Sequence, residues 1–158
     1  LLSRAFAVRP VDRLNEGALQ PGDRLLLAQP RLLRPEELVA LDAWVRAGGR
    51  AVILADPLLL WPLDLPLGDR RRPPATSLLD PLLAHWGLTL MPAAPGREAV
   101  ERRLLAHGEM IPMAGASHFR AQGQECRTIE QGLVALCRIG RGQVRLIADA
   151  DLLNDRLW

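Results

Sequence analysis

The chain contains no lysine and no tyrosine, so all 20 of its basic residues are arginines. Aromatic residues make up only 4% and the net charge is +2. A nucleic-acid surface wants arginines clustered on one face with aromatics between them. Here the arginines are scattered apart from Arg70, Arg71 and Arg72, so no nucleic-acid partner is expected. Long apolar runs are also missing. The most apolar stretch, residues 51–67, is broken by Asp56, Asp64 and three prolines, whereas a membrane span needs about 20 mostly apolar residues. Two cysteines and three histidines lie far apart, without the short paired spacings of zinc sites. No metal and no cofactor are therefore expected. No glycine-rich phosphate loop follows the first strand; Gln29, Pro30 and Arg31 stand in its place.

What is present is ordinary globular composition, 49% apolar and 24% charged over 158 residues, enough for one domain with a real core. The chain starts at Leu1 and ends at Trp158, and it reads as a single α/β domain (1–158) excised from something longer.

The clearest unit spans residues 22–56. Arg24 to Ala28 is a short continuous apolar run of the kind buried on both faces of a parallel sheet. A helix follows from Pro35, whose missing N–H costs nothing at the first helical position. Glu36 and Glu37 complement its N-terminal dipole, and Arg46 complements its C-terminal end. Leu38, Leu41 and Val45 form its apolar stripe, widened by Trp44, and Gly48 suits a left-handed cap. Arg50 to Leu54 is a second buried-type strand, which completes a right-handed βαβ unit.

Elsewhere the signals are shorter. Ala5 to Val8 is a candidate strand. Residues 57–74 form a long loop rich in Leu, Pro and Arg, open to two readings, a solvated loop or an anion-binding lid. Asp80 and Pro81 open a helix through Trp86 that Gly87 closes. Leu88 to Met91, Val100 to Leu105 and Met110 to Ala114 read as strands. Thr128 to Glu130 and Leu133 to Ile139 read as a hairpin, Gln143 to Ala148 as a strand, and Leu152 as the start of a helix.

Together, the Leu25–Pro30 run, Pro35-Glu36-Glu37-Leu38, Leu41-Asp42 and the Gly48–Pro57 run resemble the extracytoplasmic domain of auxiliary subunits of gliding-motility-type ABC transporters. Leu82 to Leu88 is similar too. Ile139-Gly140-Arg141-Gly142-Gln143-Val144 and Asp149 to Asn154 resemble the end of domains in the class I glutamine-amidotransferase-like superfamily. The resemblance covers about half the chain. It implies a flavodoxin-like open, mostly parallel sheet flanked by helices, with an antiparallel hairpin near the C-terminus. It also implies a periplasmic position at the inner membrane, an ABC permease and ATPase as partners, membrane attachment through flanking segments, and no catalytic activity.

The superfamily invites a test for chemistry. An amidotransferase of this class needs a cysteine on a glycine-flanked strand-to-helix turn, with a histidine and a carboxylate. Neither Cys126 nor Cys137 has that setting, and His85, His107 and His118 have no recognisable partners. No catalytic residue is assigned. The remaining candidates are polar residues at strand ends, because ligands of open α/β sheets bind outside the carboxyl ends of strands. Gln29, Asp56, Asp149 and Asp151 should share that edge, with Asn154 beside them. Such residues also cap the next helix, and Asp151 before Leu152 fits that role; both readings stay open.

A two-residue turn at Gln131-Gly132 would set Cys126 directly opposite Cys137, within reach of a disulfide, as a hydrogen-bonded pair. A three-residue turn would shift the register by one, and two free thiols are the alternative. A bridge would suit an oxidising compartment. The function expected is a non-catalytic ligand- or partner-binding domain of a transporter accessory protein. The alternatives are a degenerate amidotransferase- or hydrolase-like enzyme and an interaction scaffold using the 57–74 loop.

Overall fold

A computed structural model describes residues 2–60, 65–66, 68–69, 71–94, 100–106, 108–115 and 117–154. Its centre is a five-stranded mixed sheet in the order β1-β2-β9-β8-β7. The parallel part is β1 (Arg24–Ala28), β2 (Arg50–Leu54) and β9 (Gly142–Ile147), and β8 (Val134–Ile139) and β7 (Cys126–Ile129) add antiparallel strands. The sheet is thus less parallel than expected. Two small antiparallel pairs lie outside it: β3 (Leu88–Met91) with β6 (His118–Ala121), and β4 (Val100–Leu104) with β5 (Met110–Ala114). The sequence reading missed β6.

The first helix, α1 (Pro35–Arg46), forms where the pattern places it. Leu41 and Val45 are fully buried against the sheet, with Leu38 and Trp44 partly so. At its C-terminal end the β8–β9 turn docks directly. The Arg141 N–H donates to the Arg46 carbonyl (3.1 Å) and the Gln143 N–H to the Gly49 carbonyl (3.0 Å). A Cβ on Gly142 would lie 2.0 Å from the Val45 carbonyl oxygen, so only glycine permits this approach. The second helix, α2 (Asp80–His85), starts at Asp80 with Leu79 as its cap, one residue earlier than Asp80 capping would give. Trp86 follows it, 1% exposed, and its indole N–H donates to Asp42 of α1 (2.8 Å).

Both helices cover one face of the sheet. Right-handed crossovers explain why: the path β1 to β2 to β9 moves across the sheet without reversing, so its connections fall on the same side. Ala51, Ile53, Ala135, Ile139, Val144 and Leu146 point into that layer and are buried. The other face is open along two rows of the sheet, where Leu26 and Val52 are exposed, and closed toward the strand ends, where Leu54 and Val134 of the same face are buried. β1 consequently alternates between exposed and half-buried residues instead of being buried on both faces.

Other expectations need correction. Residues 5–8 form no strand, and Phe6 and Val8 are 50% and 59% exposed. Leu152 lies in a 3-10 turn, Asp151–Leu153, in place of a helix. In the 57–74 loop, Arg71 pairs with Asp69 (2.7 Å) and Arg72 donates to the Leu65 carbonyl (2.6 Å). Arg70, like His107, lies outside the described residues.

Cys126 and Cys137 sit opposite each other and are joined by a disulfide, with Cα atoms 4.1 Å apart. The turn between their strands is longer than two residues. Glu130–Gly132 form a 3-10 turn in which Glu130 and Gln131 take positive φ, and Ile129 pairs with Val134. The Arg138 N–H donates to the Glu125 carbonyl (2.8 Å). That makes 125–138 the hydrogen-bonded pair and 126–137 the closer, non-bonded pair, contrary to the simple hairpin. Thiol titration of the denatured, unreduced protein should therefore find no free thiol. Reduction should lower stability by up to about 3 kcal/mol, the entropy of a loop this short.

The least exposed charged side chain of α1 is Glu37, 1% exposed. Its carboxylate accepts two N–H bonds from Arg31 (2.8 and 2.9 Å), one from Arg34 N (3.0 Å) and one from Leu14 N (3.1 Å). The Arg31 guanidinium and these amides bring its pKa from 4.5 to about 2, against the opposing effect of burial. A depressed carboxylate stabilises the fold fully above its unfolded pKa and loses that contribution as pH falls through the folded value. Glu37→Gln should cost on the order of 2–4 kcal/mol at neutral pH. Urea unfolding of the variant should also lose the part of the acid sensitivity that the native chain shows between pH 4.5 and about 2.

Candidate functional site

The three parallel strands end at one edge, and the polar residues that follow them meet there. Gln29, Asp56, Asp149, Asp151 and Asn154 are all 5% exposed or less. Carboxylate oxygens of Asp56, Asp149 and Asp151 lie within 4.8 Å of one another. The five residues expected at this edge are thus brought together, while the disulfide sits toward the opposite end of the strands, in register with Val144 and Ala51.

Gln29 is the unusual member. Its backbone turns left-handed, φ +40°, directly after β1. Its N–H still donates to the Leu54 carbonyl (2.9 Å). Its side-chain amide then takes over the ladder: Oε1 accepts from the Asp56 N–H (2.9 Å) and Nε2 donates to the Asp56 carbonyl (3.0 Å). The side chain acts as one more peptide group beside β2. Nε2 also donates to the Pro74 carbonyl (3.1 Å), and the Ser77 N–H donates to the Asp56 carbonyl (2.6 Å). Gln29 therefore pins the return of the 57–74 loop. The roles of Ser77, Pro74 and Leu60 are carried by backbone atoms, which leave no signal in residue type.

Each carboxylate accepts backbone amides. Asp56 Oδ2 accepts from Ala150 N (3.0 Å) and Oδ1 from Leu58 N (2.8 Å). Burial pushes the Asp56 carboxyl above its usual pKa range, and the amides of Ala150, Leu58 and Asp151 pull it back. Asp149 Oδ1 accepts from Leu152 N (2.9 Å), so Asp149, and not Asp151, caps the 3-10 turn. Asp151 Oδ2 instead accepts from Leu60 N (2.8 Å) and holds the start of the loop over the strand ends. The Asn154 N–H closes the turn on the Asp151 carbonyl (2.8 Å).

Three carboxylates at this spacing are the donor set of a hard divalent cation. Here oxygens of all three are engaged by N–H groups, which is the chemistry of a lock between loops. His85 is at another place, 3.6 Å from Asp42 beside Arg46 and Trp86.

A lock of this kind makes its own prediction. Asp56→Ala strands the amides of Ala150 and Leu58 in a buried site, and should cost about 2–4 kcal/mol. Asp149→Ala removes the cap on the Leu152 amide and should cost about 1 kcal/mol or more. Urea unfolding of the two variants checks the order; equal, negligible losses would be the wrong result for a structural lock.

Comparison with known proteins adds two findings. A family model described as an ABC-type uncharacterized transport system matches residues 1–95. Among solved structures, a cytoplasmic protein from Salmonella typhimurium LT2 superposes with TM-score 0.56 at 12% identity, over 87% of this chain and 64% of its own. An exo-β-1,4-mannosidase from Opitutaceae bacterium strain TAV5 superposes with TM-score 0.53 at 13% identity, over 83% of this chain. The chain spans 21% of the mannosidase's length. At these identities the likeness is one of fold alone. No curated protein matches the chain.

Proposed function

The chain belongs to the ABC-type uncharacterized transport system family, and from that membership we propose that it is a non-catalytic binding domain of a transporter accessory protein. It associates with an ABC transport system. In the proposal the partners are the permease and ATPase, the position is the periplasmic side of the inner membrane, and attachment is through flanking segments. The mixed sheet is read as a reduced flavodoxin-like arrangement, within the amidotransferase-like superfamily.

The observation that carries the non-catalytic reading is the state of the polar groups. The strand-end carboxylates and Gln29 are buried and turned onto backbone partners. The two cysteines are bridged, and a bridged sulfur is no nucleophile. A disulfide also fits an oxidising compartment. Ligand binding at the strand ends would first require the loop at 58–60 to lift, breaking the Leu58 and Leu60 amide bonds.

Two measurements test this reading. Co-expression with the ATPase and permease of an ABC transport system from the same source should give a complex that co-purifies in detergent. The reduced and oxidised chain should release no ammonia from glutamine. Ammonia release by the reduced chain that Cys137→Ser abolishes would favour the enzyme reading instead.

A further inference from the structure

The uncovered face of the sheet is the least ordinary surface of the molecule. Parallel strands are normally covered on both faces. Here Leu26 and Val52, adjacent on β1 and β2, are 44% and 36% exposed. The strand register lays out what this face carries. One row across the sheet is Arg24, Arg50, Gln143 and Arg138. The next is Leu26, Val52, Arg145, Leu136 and Arg127. Apart from Leu26, the residues of these two rows line a trough of about 800 Å³.

Five arginines therefore surround a short apolar strip. Arg24 and Arg50 stand directly side by side, a like-charge arrangement that costs stability. Among the described residues Arg50, Arg127, Arg138 and Arg145 form no ion pair, and Arg24 lies over the Phe6 ring at 5.9 Å. Glu125, the acidic residue at the rim, is paired with Arg46 of α1 (3.4 Å).

We propose that this face docks an acidic amphipathic helix of a partner protein, which supplies the missing second layer of the α/β sandwich. The charge selects the sign of the partner: acidic side chains neutralise arginines that have no described counter-ion. The apolar strip selects an amphipathic partner over a purely charged one. The dimensions also fit. Five strands at about 4.8 Å spacing present roughly 19 Å, and a helix of about 12 residues is roughly 18 Å long. A second copy of the chain is disfavoured, since it would bring two arginine sets together. A flat anionic bilayer does not fill a trough. Single-stranded nucleic acid wants aromatic platforms for its bases, and neither row contains one. The proposal holds whatever the transporter does.

The test uses the full chain with its disulfide intact. The probe is a labelled, stapled model helix of about 14 residues, with leucines on one face and glutamates beside them. The controls are the same helix with lysines for glutamates, vesicles of phosphatidylglycerol and phosphatidylcholine, and a single-stranded oligonucleotide. Fluorescence anisotropy should detect binding of the glutamate helix that weakens with salt. Arg50→Glu and Arg145→Glu should each weaken it about tenfold or more, and Val52→Glu should do the same. Arg127→Glu at the edge strand provides an independent check if any of these fails to fold, as judged by thermal unfolding. Absent binding, equal binding of the lysine helix, binding indifferent to these variants, or preference for vesicles or oligonucleotide would each overturn the proposal.

Discussion

The structure turns on one buried carboxylate at the end of its central parallel strand. Asp56, 1% exposed, has β1 and β9 on either side of its own strand and must satisfy what those neighbours leave over. Its side chain takes the amides of Ala150, after β9, and of Leu58, in the outgoing loop. Its backbone takes both ends of the Gln29 side-chain amide from β1. One residue thus closes three parallel strands against each other where the ladder of main-chain bonds stops. Burying a carboxylate is expensive unless its hydrogen bonds are made, which is why the loop and the 3-10 turn must fold back over it. The left-handed backbone of Gln29 is a strain of the order of 1 kcal/mol or more, offset by letting its side chain imitate the next peptide.

Legibility in the sequence followed the range of the interactions. α1 and its two flanking strands could be read almost to the residue, because capping, dipole charges and the apolar stripe are local. The convergence of Gln29, Asp56, Asp149 and Asp151 was legible as well, since it needs only the polarity rule of parallel strands. What each residue does there was not. Asp149 and Asp151 exchange the roles suggested by position, because the partner of Asp151 is the Leu60 amide, remote in sequence. Glu37 looked like a dipole charge and is the buried acceptor of four hydrogen bonds, for its partners Leu14 and Arg31 lie outside its helix. The pairing of Cys126 with Cys137 came from register alone, but the turn's positive-φ residues reversed which pairs are hydrogen-bonded.

The arginines illustrate the same limit from the other side. Along the chain they look scattered. Arg24, Arg50, Arg138 and Arg145 come from four strands separated by most of the sequence, and only the sheet order makes them neighbours. Within a strand the signal was there only in β9, where Gln143 and Arg145 alternate with the buried Val144 and Leu146. A half-exposed strand reads as alternating and a fully buried one as continuous. β1 is leucine-rich on both faces and gave the second pattern although it lies at an exposed edge. Its second apolar face is therefore the residue-level mark of the uncovered layer.

The closed strand ends and the open sheet face share a single topological cause. Ligand crevices of open α/β sheets form where the strand order reverses, because there the connections diverge to opposite faces. The order β1-β2-β9 never reverses, so no such divergence occurs among the described parallel strands. The loops over the strand ends crowd together there, and Asp56, Asp149 and Asp151 each accept a backbone amide. Among the described residues, no helix covers the rows of the far face that hold Leu26 and Val52. The strand ends, where a reversal would have opened a cleft, are therefore closed, and the surface left without a second layer is the part of the sheet that carries the arginines and the exposed Leu26 and Val52.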